Sequence, residues 1–168
     1  MAIREIVTVP DPVLRKKARE VTDFGPDLQK LIDDMVDTMR EAPGVGLAGP
    51  QVNQSIRVIV VEYGEEEEKP PKLFAVVNPE ITRASRDTEL GTEGCLSIPE
   101  IVGNVERAHS VTVKGQNRHG QPIKIKAEGW LARIFQHEVD HLNGVLFVDL
   151  AEKLWKLEKE NESPLPAD

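Results

Sequence analysis

Cysteine, long apolar runs and surplus positive charge are all scarce in this sequence, and each shortage narrows what the protein does. Cys95 is the single cysteine, so an internal disulfide is excluded and a reducing compartment fits. A lone cysteine is more often a small buried hydrophobe than a reagent, so its neighbours must decide its role. No stretch approaches the roughly 18 consecutive apolar residues of a membrane-spanning helix. The opening MAIREIVTVPDP lacks the apolar core of a signal peptide, and a cytoplasmic protein is expected. Acidic residues number 29 against 21 basic ones, a formal net charge of −8. That balance argues against a DNA binder that works by neutralising phosphates. The glycines of EAPGVGLAGPQ, residues 41–51, lack the Lys-Ser or Lys-Thr of a phosphate loop and the strand-to-helix setting of a dinucleotide site. No internal repeat is present.

What remains is the composition of a globular chain: 168 residues, 39% apolar and 30% charged. The length suits one domain over 1–168, with ESPLPAD at 162–168 as a loose tail. Residues 3–9 lean towards a strand. Pro26 suits the first turn of a helix in which Leu28, Leu31, Ile32, Met35, Val36 and Met39 recur at helical spacing. Residues 41–51 read as a shaped loop, 57–63 and 73–77 as strands, and 86–94 as a polar segment bending at Gly91. Residues 110–114 and 123–127 form the arms of a hairpin. Asp149 with Glu152 marks a final helix carrying Leu150, Leu154 and Leu157. The order predicts an α+β fold with sheet packed around a long central helix.

That helix spans residues 130–144, WLARIFQHEVDHLNG, and holds an HExxH motif. His137 and His141 stand one turn apart on one face, so both imidazoles can grip one metal ion, and Glu138 can reach a water beside it. Gly144 supplies the stop. Two ligands leave the ion short, because catalytic sites commonly take three and a water. An extended HExxHxxGxxH pattern needs histidine at 147, where Phe147 stands. Glu158, Glu160 and Glu162 lie in a charge-rich end, where glutamates are ordinary surface residues. Cys95 is the remaining candidate. A thiolate with two imidazoles suits iron(II), cobalt, nickel or zinc.

Three motifs together, GVGLAGPQ at 44–51, EGCLS at 93–97 and QHEVDHLNG at 136–144, resemble those of the peptide deformylases, in that family's order and at its intervals. The resemblance covers essentially the whole chain and implies mostly antiparallel sheets around the HExxH helix. It implies Cys95, His137 and His141 as metal ligands and Glu138 as general acid and base. Gln51 and the backbone N–H of Leu96 become the donors to the formyl oxygen. Gly46 and Leu47 become backbone that pairs with the substrate as an added strand. Val45, Trp130 and Ile134 become walls of a methionine pocket. Glu93 braces the ligands, with Arg107 as its expected ion-pair partner. Two positions differ from some members: Val102 and Glu106 stand where a basic residue and a proline occur, which alters contacts beyond the first substrate residue.

The implied reaction is hydrolysis of the N-formyl group from the N-terminal methionine of new polypeptides, releasing formate. One divalent ion per chain is implied, natively iron(II), with zinc, nickel or cobalt as replacements. The implied partners are nascent formylated chains, and also the ribosome if Lys153, Lys156 and Lys159 line one side of the final helix. Beside a soluble domain with no metal at all, two other readings of the residues stay open. One is an HExxH endopeptidase completed by a downstream glutamate. The other is a non-catalytic binding module stabilised by metal, for which Glu138 would be dispensable.

Overall fold

The computed structural model describes residues 2–64 and 68–157. Among the described residues, eight strands and three α-helices follow one another, with two short 3-10 turns. Helix α1 (Pro26–Glu41) opens with its proline in the first turn and buries Leu28, Leu31, Ile32, Met35, Val36 and Met39. This is the face that the 3.6-residue spacing predicts. Strands β1 (Gly46–Ala48), β2 (Val58–Tyr63), β3 (Lys72–Ala84), β6 (Ser110–Gln116) and β7 (Pro122–Glu128) form a five-stranded sheet in the order β1-β2-β3-β6-β7. Strands β4 (Thr88–Cys95), β5 (Ile98–Ala108) and β8 (Lys153–Lys156) form a second, three-stranded sheet. All the strand pairings in both sheets are antiparallel.

Helix α2 (Gly129–Leu142) carries the HExxH motif. One side of it buries Ala132, Ile134, Phe135, Val139 and Leu142 in a cluster with Ile59, Val61, Val76, Val111 and Val113 of the larger sheet. It lies late in the chain and, at 14 residues, is shorter than the 16-residue α1. The antiparallel sheets and few helices match the expected class. Gly144 follows α2 at φ +75°, and a Cβ there would fall 2.5 Å from the Arg15 carbonyl oxygen. Only glycine fits so close a left-handed turn.

Several local expectations need correction. Residues 3–9 form no strand. Their Val7 and Val9 N–H groups instead donate to the Gln51 and Ser97 carbonyls at 2.8 and 2.9 Å. The glycine-rich stretch is not all loop, because Gly46, Leu47 and Ala48 pair with Val61, Val60 and Ile59 before a short 3-10 turn. Strand β3 does not stop at Asn78–Pro79. It bulges there, with Asn78 at φ 52° bonded through its side-chain amide to both backbone groups of Val21. Gly91 bends nothing and lies within β4. The final helix is absent over the described residues. A single turn, α3 (Phe147–Leu150), gives way to β8, whose Leu154 and Trp155 pair with Gly103 and Val102 of β5. Lys153 and Lys156 therefore lie in a strand and line no helical face, while Lys159 and the expected tail at 162–168 lie outside the described residues.

Candidate metal centre and active site

Strand β4 ends at Cys95, and Leu96 and Ser97 turn the chain into β5, with Cys95 opposite Ile98. This hairpin brings the thiol against the inner face of α2. His137 and His141 present their rings there with centroids 5.0 Å apart. Cys95 Sγ lies 3.3 Å from His141 Nε2. One donor atom from each of Cys95, His137 and His141 lies within 4.8 Å of the others. The three side chains are 8%, 3% and 1% exposed. Burial, reinforced by His137 and Arg107, drives the His141 imidazole well below its usual pKa, so it is neutral with a lone pair to give. One thiol and two imidazoles enclosed in this way are a donor set that fits a divalent transition-metal ion.

The orientation of His137 is set from behind. Its Nδ1 lies 3.0 Å from Glu93 Oε1, which leaves Nε2 as the outward nitrogen. Glu93 is in turn bidentate with Arg107, whose Nε and Nη2 each donate at 2.8 Å. Burial works against the Glu93 charge, but Arg107 and His137 outweigh it and hold the carboxyl far below the usual range. The expected ion pair is therefore present, and Arg107 Nη1 extends it to Asp140 Oδ2 at 2.6 Å. Phe147, at the position where an extended motif would need histidine, stacks on the His137 ring at 6.2 Å between centroids and 21° between planes.

Glu138 is buried beside β1, so close to Gly46 that the two leave no room for a side chain at 46. Gln51, also buried, accepts the Ala48 N–H through Oε1 at 3.0 Å and donates from Nε2 to Ser97 Oγ at 3.1 Å. The same Nε2 lies 3.6 Å from Cys95 Sγ, so the amide faces the centre. Strand β1 is the edge of its sheet and pairs only with β2 among the described residues. Its free side offers the N–H and C=O groups that an extended peptide can join.

A family model described as polypeptide deformylase matches residues 3–156. The chain belongs to the peptide deformylase family. The peptide deformylase of Desulforudis audaxviator is 49% identical over 156 residues, covering 93% of this chain and 98% of that one. The crystal structure of the Thermotoga maritima peptide deformylase superposes with a TM-score of 0.85 at 44% identity, covering 91% of this chain and all (100%) of the other. That of the Ehrlichia chaffeensis peptide deformylase, in complex with actinonin, gives a TM-score of 0.86 at 38% identity, with 91% of each chain covered. Peptide deformylases are metal-dependent, and the Cys95, His137 and His141 donors accord with that property.

Measured against the expected deformylase site, the structure gathers most of the named residues. Trp130 and Ile134 line a small cavity together with Glu93, Arg133 and His137. Val45 packs on the same cluster as Trp130 without lining that cavity. Leu96 sits in the turn after Cys95, with its side chain against the cluster that includes Leu47. Sequence reasoning missed Ser97, Asp140 and Arg133. Arg133 did carry a signal. It stands four residues before His137, hence on the same helix face, where a charge needs a buried partner.

Proposed function

We infer that the chain hydrolyses the N-formyl group from the N-terminal methionine of newly made polypeptides, releasing formate and a free amino terminus. The observation that carries this reading is the enclosure of one thiol and two imidazoles within 4.8 Å beside a buried Glu138 and an open strand edge. Cys95, His137 and His141 would hold one divalent ion, natively iron(II), with zinc, nickel or cobalt able to replace it. Such an ion supplies Lewis acidity and a nucleophilic water near neutral pH.

The protein's own groups do the rest. The substrate backbone lies along the free edge of β1 at Gly46 and Leu47. Its methionine side chain enters the cavity at Trp130 and Ile134, with Val45 behind. Glu138 takes a proton from the attacking water and later gives it to the departing amine, so the carboxylate is unchanged after each turnover. Gln51 Nε2 has one N–H engaged by Ser97 and a second directed towards the centre, where it can meet the oxyanion. The Leu96 N–H is the second donor. Water adds to the formyl carbon, the C–N bond breaks, and formate and amine are the only products.

The reading makes the chain one catalytic domain acting in the cytoplasm on nascent chains, and no described helix is long and apolar enough to cross a membrane. An endopeptidase completed by a downstream glutamate is disfavoured by Cys95, which already sits among the donors. The test is formate release from formyl-Met-Ala-Ser by anaerobically purified, iron- or cobalt-loaded protein, beside Glu138→Ala and Cys95→Ser, with metal assayed in each. Release that disappears in Glu138→Ala with metal retained, and weakened metal binding in Cys95→Ser, supports the reading. A metal-loaded wild type that releases no formate overturns it.

A further inference from the structure

Arg133 takes no part in the chemical steps above, although it lines the cavity at Trp130 and Ile134, and its side chain is heavily engaged. It is 5% exposed and one helical turn before His137. Its Nη1 donates to Glu93 Oε2 at 2.6 Å and to the Val105 carbonyl at 2.8 Å, and its Nη2 donates to the Glu89 carbonyl at 2.8 Å. Its guanidinium carbon lies 5.4 Å from the centroid of the Trp130 ring. Gly91 makes room for it, since a Cβ there would fall 2.7 Å from Arg133 Cζ. Glu93 therefore meets two guanidinium groups. Arg107 spans both carboxylate oxygens, Arg133 takes the second hydrogen bond at Oε2, and the remaining place at Oε1 is left to His137 Nδ1.

We propose that Arg133 is a positioning residue for the metal centre. By fixing Glu93 from the α2 side while tying α2 to β4 and β5, it sets the angle at which His137 presents Nε2 to the ion. Arg107 holds the carboxylate from β5 and is itself tied to α2 at Asp140, in the turn after His137, so Arg133 supplies the brace from the turn before it. Arg133 joins the helix that carries His137 to the strands that carry Glu93 and Arg107. The proposal rests on the reading of Cys95, His137 and His141 as ligands.

The test loads wild type, Arg133→Met, Arg133→Lys and Gly91→Ala with nickel(II). It measures nickel release to a chelator, kcat and KM on formyl-Met-Ala-Ser, and thermal midpoint. Groups that orient a metal-ligating histidine commonly govern about 10- to 100-fold in affinity or activity. Arg133→Met is expected to release nickel at least about tenfold faster and to lose kcat by a similar factor, with KM moving far less. Arg133→Lys keeps the charge but lacks the planar guanidinium fork that spans the Glu93, Val105 and Glu89 acceptors, so it recovers only part of the loss. Gly91→Ala, whose methyl group would take the guanidinium's place, should reproduce Arg133→Met. Nickel release unchanged in Arg133→Met, with only the thermal midpoint lowered, overturns the proposal in favour of a purely structural role. If Arg133→Met does not fold, unchanged nickel release in Gly91→Ala overturns it equally. A wild type that holds nickel but releases no formate overturns the functional reading alone, because nickel release is read without substrate.

Discussion

Gly46 faces the Glu138 carboxylate so closely that a Cβ at position 46 would sit 2.6 Å from Oε2 and 2.9 Å from Cδ. The missing side chain of one residue thus defines where the carboxylate of another can stand. Gly46→Ala must push the carboxylate aside, because the strand is pinned by its pairing with Val61. A displacement of about 1 Å at such a group commonly costs on the order of 100-fold in rate. Gly46→Ala is therefore expected to lose about that factor in kcat/KM while keeping its metal, since Glu138 is not among the proposed ligands. Formate release measured beside metal content checks it. A rate close to wild type would mean that Glu138 has room the structure does not show.

Gln51 joins two duties in one side chain. Its Oε1 satisfies the buried Ala48 N–H, and its Nε2 faces Ser97 Oγ and the Cys95 thiol. Gln51→Ala should lower kcat by about 100- to 1000-fold, the usual loss when one oxyanion donor is removed. It should also cost about 1–3 kcal/mol of stability, because a buried N–H is left without its acceptor. Single-turnover kinetics and denaturant unfolding separate the two effects. A variant that loses stability but not kcat would confine Gln51 to a structural part.

How much of this was legible in the sequence follows from how local each feature is. Helix α1 could be read because the spacing of its apolar residues suffices to define the buried face. The HExxH pair could be read because helix geometry alone stacks His137 and His141. Strand β1 could not, since Gly46, Leu47 and Ala48 have little strand preference of their own and owe their conformation to pairing with β2. The expected last helix failed for a related reason. The Asp149 signal is real, with Oδ2 accepting the Leu146 N–H at 3.0 Å. It supports only the single turn of α3, because pairing with β5 then claims Leu154 and Trp155. Arg133 was missed because its acceptors lie in β4 and β5, far off in the chain. Its charge is tolerable in the core only once those strands arrive.

Phe147 shows how a residue without ligand chemistry serves the centre. It is 2% exposed and stacks on His137 within the cluster that includes Cys95, Val105 and Leu146. Phe147→Ala should cost about 3–5 kcal/mol, the usual loss for a fully buried phenylalanine. With the stacking partner gone, His137 is less restrained, and metal should leave faster than from wild type. Urea unfolding of the metal-free forms gives the first quantity, and chelator-driven release gives the second. Full stability in the variant would show that the neighbouring side chains close the space.

Asp34 ties the start of the chain to α1 and gives the fold an acid limit of its own. The side chain is 1% exposed, and it accepts the Ala2 N–H at 2.8 Å, Arg4 Nε at 2.9 Å and Lys30 Nζ at 3.0 Å. Burial works to raise its pKa, but Lys30, the Ala2 N–H and Arg4 outweigh it and hold the carboxyl at about 2, against an ordinary 3.8. A folded pKa below the unfolded one means that the unfolded chain takes up the proton first. The stability this group contributes is therefore complete above the unfolded value and declines as pH falls towards the folded one. Acid would also protonate the proposed metal ligands, so the wild type alone cannot isolate the effect. The difference between wild type and Asp34→Asn can, because loss of metal is common to both. That difference, from denaturant unfolding, should be constant at neutral and mildly acidic pH, shrink once the pH passes below 3.8, and level off below about 2. A difference that does not vary with pH would mean that Asp34 keeps an ordinary pKa and that these donors serve packing alone.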